Sequence, residues 1–314
     1  MDEKIYECDL HSHTKRSDGA DSYKQIIANA IKRGLKVLAI TDHDIRPEMH
    51  PEISGRAVDL QQYGREQGII LIPGIEFSCN TQVEDVHIVG LACDFSHSGF
   101  ARQEELTRKS KLGGYEALCS RLTEIGMPIT LQEVAEAQEK GFALGDIQKK
   151  QIFELMAKKG YASDWSQAKL LVKNSRQLQI KREKPQAEAV IQLIKESGGV
   201  AVLAHPYLIE EPLVWRDKEA SRAEYIERLI AAGLDGIEGA YTYNKTSYSG
   251  TLSPEEIEHE IRDKYEGRVA FISGGADYHD DAAKGVKKEK CRYLGEKGIS
   301  LSEFKKSPLG HLAK

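Results

Sequence analysis

KVLAITDHD, residues 36–44, joins a short β-branched apolar run to a cluster of acids and a histidine. The run has the length of a buried strand and is too short for a helix. Its far end carries chemistry: Asp42, His43 and Asp44 sit where a strand would stop. Upstream, Ser22–Arg33 has helical spacing and stops at Gly34, a residue suited to ending a helix and feeding the next strand. The same unit recurs along the chain. Strand-like runs occupy 5–10, 36–41, 69–75, 86–92, 199–204, 234–239 and 268–273, and helical candidates include Gly55–Glu66, Gln186–Ser197 and Ser221–Ala232, the last two followed by Gly198 and Gly233. Alternation of this kind predicts an α/β fold. Only about ten residues separate the third and fourth runs, too few for a parallel crossover, so a tight turn is expected there.

Between about 100 and 184 the strand signal disappears. Leu118/Leu122/Ile125, Leu131/Val134/Ala135, Ile152/Phe153/Leu155/Met156 and Leu170/Leu171/Val172 have helical spacings, which predicts a helical insertion. Its later part is cationic, with ten Lys or Arg against four Asp or Glu over residues 145–185, while the whole chain is at -5. That polarity suits a small anionic ligand; a solvated helix face is the plainer alternative. The negative total speaks against non-specific binding of long nucleic acid.

The 314 residues suffice for a sizeable core, and 30% charged against 40% apolar residues is a globular balance. No window holds the apolar length of a membrane span, and the opening MDEKIYECDL is too charged for a secretory signal, so the mature chain is expected to start there. Cys8, Cys79, Cys93, Cys119 and Cys291 form no CxxC pair, which predicts a reducing, cytoplasmic setting without a thiolate zinc site.

The histidines carry the functional reading. Six of the ten fall in or just after predicted strands: His11, His13, His43, His87, His205 and His279. Asp18, Asp42, Glu76 and Asp277 join them. Strand carboxyl ends share one face in barrels and open parallel sheets, so these residues should converge. Imidazole and carboxylate without thiolate suit Zn, Mn or Fe with open coordination positions. A carboxylate such as Glu76 can bridge two cations, and a hydroxide shared between them is a nucleophile at neutral pH. His50, His97, His259 and His311 lack that context and read as surface residues, and Glu238 reads as a solvated strand-end acid. Tyr241, Tyr243 and Tyr248 come after the sixth run, where packing is favoured over base stacking.

In order, DLHSHTKRSDG, ITDHD, IPGIEFS, VHIVG, AVLAHP and SGGADYH resemble the PHP (polymerase and histidinol phosphatase) family of metal-dependent phosphoesterases, over about 5–95 and 186–290. Ala276 stands where that family commonly has Ser. The resemblance implies a distorted (β/α)7 barrel with a helical insertion domain, the barrel at 1–99 and 185–314 and the insertion at 100–184. It implies two or three divalent ions. His11, His13, Glu76 and Asp277 would hold one; Glu76 would bridge to a second with His87 and His205; Asp18, His43 and His279 would hold a third. Glu76, Asp42, His205 and His279 are the expected catalytic residues, with Asp42 orienting an imidazole or a water. Lys181, Arg182 and Lys184 are candidates for a non-scissile phosphate. The implied activity is hydrolysis of a small phosphomonoester, a nucleoside monophosphate or 3',5'-bisphosphate. The rivals are a phosphodiesterase or 5'-3' exoribonuclease on short oligonucleotides, an amidohydrolase-type C–N hydrolase, and a metal-stabilised non-catalytic binding module.

Overall fold

The computed structural model describes residues 5–79, 83, 86–138, 143–215 and 218–313. The chain divides into two compact units, Met1–Ala101 with Pro185–Lys314, and Arg102–Lys184. Residues 1–4 and 314 of the expected barrel ranges lie outside the described residues, as does most of the link between the third and fourth strands.

The first unit is built on seven strands: β1 (Cys8–Asp9), β2 (Val37–Ile40), β3 (Ile70–Cys79), β4 (Val86–Leu91), β5 (Val200–Leu203), β6 (Gly236–Ala240) and β7 (Phe271–Gly274). They form one sheet in chain order. All neighbours are parallel except that β4 runs antiparallel to both β3 and β5. That reversal lets a short link join β3 to β4. The sheet curls until its ends meet beyond β1 and β7: the Leu10 N–H donates to the Gly274 carbonyl at 3.1 Å, and the His13 N–H donates to the Tyr278 carbonyl at 2.8 Å. The architecture is a nearly closed seven-stranded α/β barrel.

Side-chain alternation along the strands separates two apolar layers. Val37, Ala39, Ile72, Val89, Leu91, Val200 and Val202 pack together with Ile299, Phe304 and Leu309 from the C-terminal segment. Leu38 and Ile40, on the other face of β2, pack against Ile26, Ile27 and Ala30 of helix α1 (Tyr23–Lys32). Ser22 starts α1 by accepting from the Gln25 N–H while the Gln25 side chain returns to the Ser22 backbone. Helix α2 is shorter than expected, Leu60–Glu66. Residues 52–57 form a small antiparallel hairpin, Glu52–Ile53 with Arg56–Ala57, instead of the helix that their composition suggested. The cause is local: Gly55 turns the chain at φ 79°, and Asp59 caps α2 by accepting from the Gln62 N–H.

Helix α3 (Ser98–Glu124) continues into the second unit, which also contains α4 (Leu131–Glu136), α5 (Lys149–Lys158) and α6 (Trp165–Asn174). That unit has its own core of Leu118, Leu122, Val134, Ile152, Met156, Ala168 and Val172. Ile125 and Leu170 are exposed, against expectation. Ile125 lies just past the end of α3, and the buried stripe of α6 runs through Ala168 and Val172, four apart, leaving Leu170 on another face. The first unit resumes with α7 (Ala187–Glu196), α8 (Arg222–Ala231), α9 (Pro254–Tyr265) and α10 (Leu301–Lys306). Among the described residues no helix is long and apolar enough to cross a membrane.

A buried carboxylate ties the barrel seam. Asp9, wholly inaccessible, accepts from the backbone N–H groups of His11 at 3.2 Å, Ala276 at 3.1 Å and Gly295 at 2.9 Å. Burial pushes its carboxyl up to about 7 even though the three donors pull the other way. Asp9→Ala strands three buried donors and should lower stability by about 3 kcal/mol, and Asp9→Asn by about 1 kcal/mol through loss of the Gly295 bond. Urea unfolding measures both; equal stability of Asp9→Ala and the parent would contradict the clasp.

Candidate metal centre

The strand ends deliver their side chains to one place. Glu76 continues the face of β3 that carries Ile72, and His87 continues the face of β4 that carries Val89 and Leu91. Because β4 is reversed, its beginning lies at the same edge as the ends of its parallel neighbours, which is how a histidine early in a strand joins the cluster. The chain after β2 stays paired with β3, the Asp44 N–H donating to the Glu76 carbonyl at 2.8 Å, and so holds His43 beside Glu76. His205 and Asp277 leave β5 and β7 in left-handed backbone conformations, at φ 29° and 51°. Such strain is tolerated where a side chain must be aimed against the run of the backbone. Gly275 permits a close approach at the seam: a Cβ there would lie 2.4 Å from the His11 Cβ.

Glu76 is the hub. It is fully buried, and its Oε2 lies 3.2 Å from His11 Nε2, 3.2 Å from His13 Nε2 and 3.1 Å from His43 Nδ1. Its Oε1 lies 2.8 Å from His87 Nδ1 and 3.1 Å from His205 Nε2. Asp277 Oδ1 is 3.0 Å from His13 Nε2 and 3.5 Å from His11 Nε2. Asp18 Oδ1 reaches His279 Nε2 at 3.0 Å and lies near His13 and His43. Three overlapping groups have donor atoms close enough to share an ion: His11, His13, Glu76 and Asp277; His43, Glu76 and His87; and His13, Asp18, His43 and His279. His13, His43 and Glu76 thus each stand in two groups, and His205 in none of the three.

The donor set fits divalent cations. His11 Nε2, both ring nitrogens of His13, the Nδ1 atoms of His43 and His205, and Glu76 Oε2 are buried without a properly directed hydrogen bond. His205 Nδ1 apart, whose ring faces Glu76 through Nε2, they are close together yet misaligned for bonding to one another, as expected of atoms aimed at ions between them. Ligands bonded to one cation at about 2.0–2.2 Å necessarily lie about 3–3.5 Å apart, the spacing seen here.

Other residues fix which ring nitrogen faces the centre. Glu238 Oε1 lies 3.1 Å from His11 Nδ1, and its Oε2 accepts from the His205 N–H at 2.8 Å. Contrary to expectation, this acid is buried and belongs to the site. His279 Nδ1 lies 2.7 Å from the Asp277 carbonyl oxygen, which accepts its proton and leaves Nε2 for Asp18. Asp277 Oδ2 accepts from the Tyr241 hydroxyl at 2.8 Å and Arg292 Nη1 at 2.7 Å, so only Oδ1 faces the histidines. Arg292 is itself gripped by Asp281. Asp42 departs from the expected role. Rather than orienting an imidazole, it accepts from the Thr14 N–H at 2.8 Å, the Thr14 hydroxyl at 2.7 Å and the Ser17 hydroxyl at 2.6 Å, fixing the loop that carries Asp18.

Tyr243 is buried packing; Tyr241 is buried too, but its hydroxyl holds Asp277 and it lines the cavity over the cluster. His50, His259 and His311 are exposed and His97 half-buried. Lys181, Arg182 and Lys184 lie in the second unit, after α6. A cavity of about 320 Å³ opens over the cluster, lined by cluster residues together with Lys245, Thr246, Ser247, Lys284 and Arg292. None of these five is marked out by motif or periodicity.

Burial opposes charge on His11 and His13, but the surrounding acids prevail: His11 is held well above the usual imidazole range and His13 is raised to about 9. Burial, with neighbouring imidazoles assisting, drives His43 down to about 4. Glu76 and Asp277 resist burial and stay well below the usual carboxylate range because imidazoles and, for Asp277, Arg292 surround them. The metal-free protein therefore carries protons on His11 and His13 at neutral pH, and an incoming cation must displace them. Metal affinity should rise with pH up to about 9, with protons released on binding. Calorimetry in buffers of different ionisation enthalpy measures this; uptake at pH 7 without proton release would contradict it.

Residues 9–261 match the PHP domain family. The 5'-3' exoribonuclease Rnm of Escherichia coli is 32% identical over 86% of this chain and 84% of its own length. The phosphoribosyl 1,2-cyclic phosphate 1,2-diphosphodiesterase of Eggerthella lenta is 26% identical over 86% and 93%. The 3',5'-nucleoside bisphosphate phosphatase of Chromobacterium violaceum is 25% identical over 86% of each. A crystal structure from Bifidobacterium adolescentis shares the fold with a TM-score of 0.69 and 24% identity over 98% of both chains. An amidohydrolase structure from Chromobacterium violaceum, bound to sulfate, does so with a TM-score of 0.63 and 23% identity over 94% of this chain and 92% of its own. A barrel whose strand ends gather five imidazoles around one buried glutamate and a sixth beside them, matched by its family over most of its length, makes this chain a member of the PHP domain family and a metal-dependent phosphoric ester hydrolase.

Proposed function

We propose that the protein hydrolyses a small nucleotide phosphomonoester, a nucleoside monophosphate or 3',5'-bisphosphate, with two or three divalent ions, Zn, Mn or Fe, as cofactors. The observation that carries this reading is the cavity of about 320 Å³ over the histidine–carboxylate cluster, at the small end of ligand pockets. Such a volume suits one phosphorylated sugar better than a polymer. The phosphatase of Chromobacterium violaceum supports the substrate class.

His11, His13, Glu76 and Asp277 hold one ion in this reading, Glu76 with His87 and His205 a second, and Asp18, His43 and His279 a third. When bound, such ions polarise phosphoryl oxygens and make water acidic enough to be deprotonated near neutral pH. Water adds across the ester P–O bond, its oxygen to phosphorus and one proton to the leaving alcohol. Glu76, His205 and His279 act at this point, by holding the charged donor array rigid while negative charge grows on the phosphoryl oxygens. Glu238 and the Asp277 carbonyl keep the ring tautomers of His11 and His279 correct, and Asp42 keeps the Asp18 loop in place. Residues 1–99 and 185–314 act as the barrel domain and 100–184 as the insertion domain.

The 32% identity to Rnm favours one second reading, stepwise removal of 5' nucleotides from short RNA. The metal-reconstituted protein, offered a nucleoside 3',5'-bisphosphate and a 5'-phosphorylated dinucleotide, should release inorganic phosphate. Release of mononucleotide from the dinucleotide, with the bisphosphate untouched, would replace the first reading by the second. Glu76→Gln should lower metal content and turnover together, turnover by about 100-fold or more; unchanged metal content would remove Glu76 from the bridging position.

A further inference from the structure

Three cationic side chains line the cavity over the cluster, and their existing partners differ. Arg292 donates to Asp277 and, through two nitrogens, to Asp281, so its charge is met by two carboxylates. Lys245 donates to Glu296 and to the Cys291 carbonyl. Lys284 is different. Its Nζ donates to the backbone carbonyl of Asp18 at 2.7 Å, and among the described residues no carboxylate lies within ion-pairing distance of it. An ammonium has three donors, and one is used here. Two remain for the cavity, on a charge that no carboxylate touches.

The tether fixes where that charge stands. Asp18 presents its carboxylate to His279 and its carbonyl to Lys284, so one residue links the metal-ligand cluster to the ammonium. Lys284 is thus held at the lip of the cluster by a bond that leaves its charge available. Its side chain is exposed at the rim of the cavity, where partial desolvation and Arg292 lower its pKa while Asp18, Asp281 and Asp277 act from a distance to favour the charged form. Lys284 belongs to the turn after the DYHDD stretch at 277–281, in the same unit as the cavity.

We propose that Lys284 binds a non-bridging oxygen of the phosphoryl group being cleaved, making it a substrate-binding residue of this active site. The assignment rests on the phosphoesterase reading and adds to it the side chain that takes the substrate's negative charge from the protein side. Arg292, whose fork is committed to Asp277 and Asp281, acts as a positioning residue for Asp277. Lys284 is the cation that responds to ligand: binding adds charge-assisted hydrogen bonds without breaking a carboxylate pair.

Inorganic phosphate, the product of a monoester cleavage, is the probe. In the full-length, metal-loaded protein, Lys284→Met should weaken competitive inhibition by inorganic phosphate about 10- to 100-fold, the span of a charged hydrogen bond. It should lower kcat/KM for a generic aryl phosphate by a similar factor, with metal content and thermal midpoint unchanged. Lys284→Arg should recover most of the loss. If Lys284→Met is inhibited by phosphate as strongly as the parent while turnover continues, the assignment to Lys284 is wrong and the phosphoesterase reading stands. If the parent neither hydrolyses a phosphomonoester nor binds phosphate, both fall together.

Discussion

A carboxylate with no access to water is the constraint on which the rest of this structure depends. Withdrawing a charged Glu76 from solvent costs several kcal/mol unless the surroundings replace what water supplied. The barrel replaces it with five imidazoles from four separate segments, all within 3.2 Å of its two oxygens. Imidazole nitrogens and carboxylate oxygens at that spacing need positive charge between them, as protons or as metal ions. Five orphaned polar atoms in the same place say that protons alone do not satisfy the arrangement. The reversed strand β4 belongs to this logic, since it brings His87 to the edge where its neighbours end.

Around that hub, other buried acids hold things still. Asp9 ties the backbone at the barrel seam, Glu238 sets the ring of His11, Asp42 fixes the loop before Asp18, and Asp281 steadies the arginine that restrains Asp277. Each is more than nine-tenths buried and each has hydrogen-bonding partners, the condition under which charge inside a protein stabilises one arrangement over others. Cavities of catalytic use need such rigidity, because a donor displaced by an ångström no longer meets the charge it serves.

The clustered residues were legible because they obey a positional rule: His11, His43, His205 and His279 each come just after a strand, and strand ends in this architecture share a face. The strand count was legible from the seven short apolar runs. The illegible parts depended on three-dimensional register. Whether Glu238 points to water or to His11 is decided by how β6 sits against its neighbours, which its own sequence does not express. Arg292 and Lys284 come from an irregular segment with no periodicity, and only folding brings them over the cluster. Asp42 was visible as an acid beside a histidine, but its partners Thr14 and Ser17 lie far back in the chain. Gly55–Glu66 had helical composition, and a single turn at Gly55 was enough to redirect its first half into a hairpin.

In the proposed mechanism, distant imidazoles and carboxylates clamp a group of divalent ions without which the protein does no chemistry. Anomalous scattering from crystals of the purified protein, with elemental analysis of the same sample, tests it most directly. Two or three metal peaks are expected among His11, His13, Asp18, His43, Glu76, His87, His205, Asp277 and His279. A cluster free of metal in a sample that still hydrolyses phosphate esters would contradict it.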